Sequence, residues 1–399
     1  MTKEKILLIT QYFPPDMAGT GRVMEELAEN LSYYEYEITV LTGKSRYFNQ
    51  RGYKEYCGKM PVKRIWYPHF NKDIEVGRIL NFISFPIMIL MRIFFIKRFD
   101  KIIIVSNPPT NVGIGALINK LFKKKIYYIL QDLYPDLAVN LNIISEKSLL
   151  TRMMRWLNKW SFEYIEKIIL LSESMNRYFR DHYCGLENKT VVISNWADPV
   201  KITPLSKDNS WSRLSGYYDK FVVLYAGNIG LFQNFNPILK AAKLLKEDKG
   251  IIFLFVGEGG DKNNLQKEVE KENLSNVDFM SYVPDEDYAK LLASAGCCIV
   301  TLKKGMENFC FPGKIYSYLA AGRPIIAISD KLSELAKLVL DNDMGFVVDN
   351  ENGIELKNSI KNIKEDKNLF NRLCNNSRNV LLNKFTRSRI VKQYFDILQ

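Results

Sequence analysis

Lys314 is the residue of this chain whose position most strongly calls for a ligand. It follows Phe311-Pro312-Gly313, a run that breaks regular structure. It opens a segment in which Ile315, Tyr316, Leu319 and Ala320 recur at helical spacing. Gly322 is free to close that helix, Pro324 cannot continue it, and Ile325-Ile326-Ala327-Ile328 suits a buried parallel strand. A lysine in the first turn of a helix meets the positive end of the macrodipole and is disfavoured by roughly a few tenths of a kcal/mol or more. A bound anion reverses that penalty, and free amides beside a lysine make a phosphate site. The competing reading is a solvated lysine whose stem lies along the surface.

Two carboxylates come next. The apolar run 126–130 ends in Gln131-Asp132-Leu133-Tyr134-Pro135-Asp136. In parallel α/β sheets ligands sit at the carboxyl ends of strands, so Asp132 and Asp136 are candidates for acid–base work or for binding hydroxyls. Each is equally suited to capping a helix. Near the start, Gly19 and Gly21 stand where the strand 5–13 gives way to a helix, Arg22 to Leu31, and let backbone approach a ligand. The third glycine of the dinucleotide fingerprint is missing, and a plain βα turn explains the same residues. In the second half, Ala226-Gly227-Asn228-Ile229-Gly230, Gly257-Glu258-Gly259-Gly260 and Ser281-Tyr282-Val283-Pro284 each follow an apolar run. The parallel-sheet rule turns these loops to one edge and makes a nucleotide cleft there.

The elements that position these residues follow a βα rhythm. Strands are expected at 5–13, 37–42, 101–106, 126–130, 167–171 and 190–193, then at 221–225, 251–256, 277–279 and 297–302. Helices are expected at 113–122, 148–166, 173–182, 285–294 and 387–398. Residues 44–76 show no clear period, Ser194-Asn195-Trp196-Ala197-Asp198-Pro199 reads as a hinge, and 200–219 as a linker. The chain has 399 residues, enough for two domains. The boundaries are a first domain 1–198, a second 199–385, and a terminal helix 386–399 that crosses back to the first.

Composition narrows the possibilities. Six cysteines without CxxC spacing and two distant histidines give no zinc or disulfide framework, and a reducing cytoplasm fits. Met1 to Lys5 runs straight into an apolar strand, so no signal peptide is expected. The net charge is +12, and residues 51–125 hold 15 Lys+Arg against 4 Asp+Glu. That patch predicts an anionic partner, and without a nucleic-acid motif the partner is a lipid surface rather than DNA or RNA. The same region holds 79–97, ILNFISFPIMILMRIFFIK. It reads as a buried helix, an interfacial membrane helix or, least well because of Pro86 and Arg92, a membrane span. The flanking Arg78, Lys97, Arg98 and Lys101 suit anionic lipid.

The order of YFPPDMAGTGRVMEELAENL, VVISNWADP, YAGNIG, VGEGG and FPGKIYSYLAAGRPII resembles the family 4 retaining glycosyltransferases over nearly the whole chain. SNPP, QDLYPD and GKIYSYLAAG look closest to the L-fucosamine transferase-like branch that builds bacterial surface polysaccharides. The resemblance implies a GT-B fold, α/β, with two Rossmann-like domains facing a cleft. It implies a nucleotide-sugar donor, a UDP-sugar first, carrying an N-acetylated or 6-deoxy hexose. The acceptor would be a polyprenyl-diphosphate-linked saccharide of O-antigen or capsule synthesis, at the inner membrane face.

Carried over position by position, Gly19 would lie against the donor phosphates or the acceptor. Asn228 and Gly230 would border the diphosphate, Glu258 would shape the nucleotide pocket, and Val283 would offer backbone to the base. Gly313 and Lys314 would meet the diphosphate, and Ser317 the ribose or phosphate. Arg22 and Asp136 would serve the acceptor, and Asp132 would orient the acceptor or the sugar hydroxyls. The glutamate pair that many members carry falls here at Phe309 and Ser317, with Glu307 as a substitute. The loop GNIGLFQN lacks the usual Arg and Lys, which throws charge neutralisation onto Lys314, helix starts and Arg22. No DxD motif is present, so no metal and no cofactor are expected. The departing phosphate would take the acceptor proton. An epimerase on the same fold and a catalytically idle nucleotide-binding partner are the alternative functions.

Overall fold

A computed structural model describes residues 3–16, 19–34, 36–44, 58, 60–70 and 75–399. Most of the aperiodic stretch 44–76, with Met17, Ala18 and the Arg78 side chain, lies outside the described residues. The chain divides into two compact units. One comprises Met1–Ser194, Asn308–Cys310 and Ile390–Gln399, the other Asn195–Glu307 and Phe311–Arg389.

The first unit runs β1 (Glu4–Thr10), α1 (Gly19–Tyr33), β2 (Tyr36–Gly43), β3 (Val62–Ile65), α2 (Glu75–Leu90), α3 (Ile93–Ile96), β4 (Lys101–Val105), α4 (Asn111–Phe122), β5 (Lys125–Leu130), α5 (Asp136–Asn140), α6 (Leu149–Phe162), β6 (Lys167–Leu170), α7 (Glu173–His182) and β7 (Thr190–Val192). Its strands are parallel, in the order β3-β2-β1-β4-β5-β6-β7. Near-continuous apolar runs form β1, β4 and β5 because both sheet faces are covered: Ile6, Leu7, Ile102, Ile104, Ile126 and Ile129 are wholly buried. The chain leaves β1 in one direction and β4 in the other. Right-handed crossovers therefore place α1 on one face and α2, α4 and α6 on the opposite face.

Pro86 sits inside α2. Lacking an N–H, it leaves the Phe82 carbonyl without its helical partner, and the Thr110 hydroxyl donates to that carbonyl instead. The apolar stretch 79–97 thus becomes α2 and α3, broken at Met91-Arg92. Phe85 and Ile89 are fully buried while Ile87 is half exposed. No helix of the described residues is long and apolar enough to cross a membrane.

The second unit runs α8 (Ser210–Leu214), β8 (Phe221–Ala226), α9 (Asn236–Leu244), β9 (Ile251–Val256), α10 (Lys262–Lys271), β10 (Val277–Met280), α11 (Asp285–Ser294), β11 (Ala295–Thr301), α12 (Lys314–Ala320), β12 (Ile325–Ile328), α13 (Glu334–Asp341), β13 (Gly345–Val348), α14 (Gly353–Glu365) and α15 (Lys367–Lys384). Its parallel sheet has the order β10-β9-β8-β11-β12-β13. Tyr225, Phe253, Phe255 and Ile299 fill its core, and Cys297 is buried among them. The expected linker 200–219 contains α8, held by a capping box between Asn209 and Ser212.

The last helix, α16 (Arg387–Leu398), begins beside the second unit, where Arg387 pairs with buried Asp198 at 2.9 Å. It ends within the first, where Phe395 stacks on Tyr34 at 4.3 Å and meets Tyr36 at 5.9 Å.

Candidate active site

In the second sheet the strand order reverses between β8 and β11, the place where an open α/β sheet binds its ligands. β8 ends in the core residues Tyr225 and Ala226, and Gly227 just after it takes φ +137°. The Gly227 amide donates to the Val256 carbonyl at 2.8 Å, and the Ile229 amide to the Glu258 carbonyl at 2.9 Å, so the loops after β8 and β9 are stitched together. A side chain at Gly257 would lie 2.1 Å from the Gly227 oxygen, and one at Gly259 2.1 Å from the Ile229 oxygen. These glycines are required by the close approach of two backbones.

Lys314 reaches into this double loop. Its Nζ stands 3.3 Å above the centroid of the Tyr225 ring. Its Cε and Nζ lie 3.2 and 3.3 Å from where a Gly227 side chain would begin, so only glycine leaves the ammonium its place. The Nζ atom is sealed from solvent and has no hydrogen-bond partner. Burial pushes this lysine well below its ordinary range. A solvated lysine lying along the surface would show neither feature. One turn on, the Tyr318 hydroxyl accepts from the Ala226 amide at 2.8 Å and donates to the Ala226 carbonyl at 3.1 Å, tying α12 to the end of β8.

The remaining candidates of this unit are distributed as follows. Asn228 is exposed, and its carbonyl accepts from the Tyr225 hydroxyl at 2.6 Å. Gly230 is buried, and its amide donates to Gln233 at 2.8 Å. Glu258 accepts from Lys262 at 2.8 Å and from Ser281 at 2.7 Å, which joins the loops after β9 and β10. Burial raises its carboxyl, but the Lys262 ammonium and the Ser281 hydroxyl outweigh that and hold it below the usual range. Val283 is buried beside the part-exposed Tyr282. Gly313 is exposed just ahead of Lys314, Ser317 is half-buried on α12, and Glu307 lies half-buried in the short 3-10 turn Met306–Asn308.

Sequence reasoning missed Lys262 and Tyr225. Lys262 supplies a cation at the glycine loops, its Nζ 3.0 Å from the Gly257 carbonyl and its side chain only 12% exposed. The spacing Glu258/Lys262, one helical turn, was the available signal. Tyr225 gave none, since a tyrosine ending a buried strand reads as core.

In the first unit, Asp132 follows β5 and forms an antiparallel bridge to Cys310, while the Leu133 amide donates to the Phe309 carbonyl at 2.9 Å. Phe309, which stands where the resemblance would put a glutamate, is a buried aromatic set edge-on to Tyr178 at 4.8 Å. Burial alone pushes the Asp132 carboxyl up to about 6. Beside it, the Gln131 Nε2 is buried without a partner. Asp136 is buried and paired with Arg155 at 2.7 Å, so its charge is already neutralised within the unit. Gly19 opens α1, exposed, with Arg22 half-buried in its first turn.

The raised Asp132 pKa has a testable consequence. Between 3.8, the ordinary value, and about 6 the folded chain holds a proton that the unfolded chain has released. Stability therefore falls as pH rises through that window. Thermal melts between pH 4 and 7 are expected to show this decline in the wild type and a flatter profile in Asp132→Asn. An unchanged slope would remove the desolvated carboxyl.

Comparison with known proteins bears on the fold and on the second unit. Residues 211–380 match the family described as "Glycosyl transferases group 1". The chain is 21% identical over 351 residues to the "Probable glycosyltransferase WbjE" of Pseudomonas aeruginosa, covering 86% of this chain and 85% of that protein. It is 23% identical to the "Putative colanic acid biosynthesis glycosyl transferase WcaI" of Escherichia coli (strain K12), covering 84% and 85%. Among solved structures, Anabaena Alr3699/HepE in complex with UDP-glucose aligns with a TM-score of 0.76 at 17% identity over 99% of both chains. The sucrose-phosphate synthase of Thermosynechococcus elongatus gives 0.79 at 17% identity, covering 99% and 98%. Two parallel-sheet units in this strand order, with a group 1 match across the unit that holds Lys314, identify the chain as a glycosyltransferase of the GT-B fold.

Proposed function

We propose that this glycosyltransferase moves a sugar, an N-acetylated or 6-deoxy hexose, from a UDP-sugar to a polyprenyl-diphosphate-linked acceptor with retention at the anomeric carbon. The carrying observation is the Lys314 ammonium, sealed, without a hydrogen-bond partner, and held against Gly227. A buried cationic group is stable only when paired or deprotonated, and a diphosphate is the partner that suits it. As the sugar leaves, charge builds on the departing phosphate, and a preorganised ammonium stabilises that charge without rearranging. Lys262, at the same glycine loops, is already paired with Glu258 at 2.8 Å, so the unpaired positive charge offered to the diphosphate is that of Lys314.

Asp132 orients the acceptor in this reading, and the departing phosphate takes the acceptor proton. The relative named for colanic acid biosynthesis supports a place in surface polysaccharide assembly, and the motifs of the L-fucosamine transferase-like branch agree with it. The basic and apolar α2–α3 region supports attachment at the anionic inner membrane face.

Melting in the presence of UDP-, GDP- and ADP-sugars tests the donor. A UDP-sugar is expected to raise the melting temperature, equivalent to about 2.7 kcal/mol at a hundredfold excess over Kd. Transfer of label from that donor to a lipid-linked saccharide should follow. No shift with any nucleotide sugar would sink the donor site. A shift with donor turnover but no acceptor product would mark an epimerase, and a shift without turnover an idle binding partner.

A further inference from the structure

α6 is buried along one face and apolar along the opposite one. Inward it buries Thr151, Met154, Asn158 and Phe162. Outward it carries Leu149, Met153, Trp156 and Trp160, spaced so that 3.6 residues per turn bring all four onto one stripe. Leu149, Met153 and Trp156 are 67%, 58% and 67% exposed. The Trp156 and Trp160 rings stack 6.3 Å apart at 8°. Trp160 is half-buried against Tyr164 at 5.4 Å, but core packing cannot explain Leu149, Met153 and Trp156, and a helix exposing this much apolar surface marks an interaction site.

The charge around the stripe names its partner. Residues 149–162 contain no acidic side chain, and Arg152 and Lys159 are exposed beside the tryptophans. On the same sheet face, α2, α3 and the turn between them expose Ile87, Met91 and Phe94 among exposed Arg92, Lys97 and Arg98. Tryptophans at a boundary between apolar and wet surroundings, flanked by cations, are the chemistry that seats a helix in the headgroup layer of an anionic bilayer.

The two helices also hold one loop between them. From α6, the Asn158 side chain donates to the Tyr134 carbonyl at 2.7 Å and Arg155 pairs with Asp136. From α2, Phe82 lies edge-on to Tyr134 at 6.0 Å. The bracketed loop is the one that carries Asp132.

We infer that the outward stripe of α6, together with α2–α3, is a docking surface for anionic bilayer lipid that brings the Asp132 loop to the membrane surface. This rests on the lipid-linked acceptor reading for its purpose, but its physical test is independent. Full-length protein is floated with phosphatidylcholine vesicles containing phosphatidylglycerol and with phosphatidylcholine vesicles alone. Wild type is expected to float with the anionic vesicles, with blue-shifted tryptophan emission, and to release in high salt. Met153→Ser/Trp156→Ser should lower partitioning roughly tenfold. Arg152→Glu/Lys159→Glu should lower it at low salt and weaken the salt dependence. Both variants should keep the wild-type melting temperature and its shift with UDP-sugar.

Flotation of Met153→Ser/Trp156→Ser at the wild-type level overturns the inference, as does equal binding to uncharged vesicles. A change of sedimenting mass in that variant, with flotation unaltered, would make the stripe a contact between copies instead. A wild type that floats as expected but is not stabilised by any nucleotide sugar would leave this surface standing and remove the transferase reading.

Discussion

Lys314→Met is expected to lower kcat/KM for sugar transfer at least tenfold, about 1.4 kcal/mol of barrier, and on the order of a hundredfold if the ammonium meets the departing phosphate directly. The same substitution should stabilise the ligand-free protein. An amine held above the Tyr225 ring, sealed and unpaired, costs folding free energy that methionine, of similar length and apolar, does not. Its pH signature follows from the direction of the shift. The lysine is pushed well below 10.5 by burial, so over the window between its folded and unfolded values the unfolded chain holds a proton that the folded chain has lost. Stability of the ligand-free wild type should rise with pH through that window, and Lys314→Met should flatten the rise. Paired melting curves, with and without UDP-sugar, and initial rates provide the check. Normal turnover in Lys314→Met, or a variant that melts lower than wild type, would count against this account of the site.

The second large effect is expected at Gly257. It takes φ +145°, where a side chain costs about 1–3 kcal/mol of backbone strain. A Cβ there would also stand 2.1 Å from the Gly227 oxygen, and backbone cannot step aside as a flexible side chain can. Gly257→Ala should therefore lower the melting temperature by on the order of 10 °C. It should also abolish stabilisation by UDP-sugar, because the two loops separate where Lys314 lies. Gly260→Ala is the control, since nothing lies within 4 Å of its Cβ. Gly260→Ala should melt within a degree or two of wild type. Equal behaviour of the two variants would show that the loops are not stitched as described.

The fold was legible because parallel strands buried on both faces must be apolar runs, and 101–105, 221–226 and 251–256 are such runs. The meeting of Lys314 with the glycine loops was legible for a similar reason: glycines at strand ends and a cation opening a helix are local patterns. What a linear reading misses is what several distant residues make together. β3, four residues at a sheet edge with Lys63 exposed and only Ile65 buried, carries too short a pattern to register. Phe309 and Asp136 looked like, or stood in place of, site residues. Their settings against Tyr178 and Arg155 depend on packing between segments far apart in the chain. The α6 stripe was written in the sequence at helical spacing. Its meaning came only from knowing which side of that helix faces the sheet.

α16 closes the first unit with residues that are synthesised after the entire second unit. While the ribosome makes everything from β3 to α15, the rings of Tyr34 and Tyr36 wait without Phe395, an interval on the order of tens of seconds at ordinary elongation rates. The half of the protein that emerges first is thus completed last. Until then the place of Phe395 beside these two rings stands open on the nascent chain.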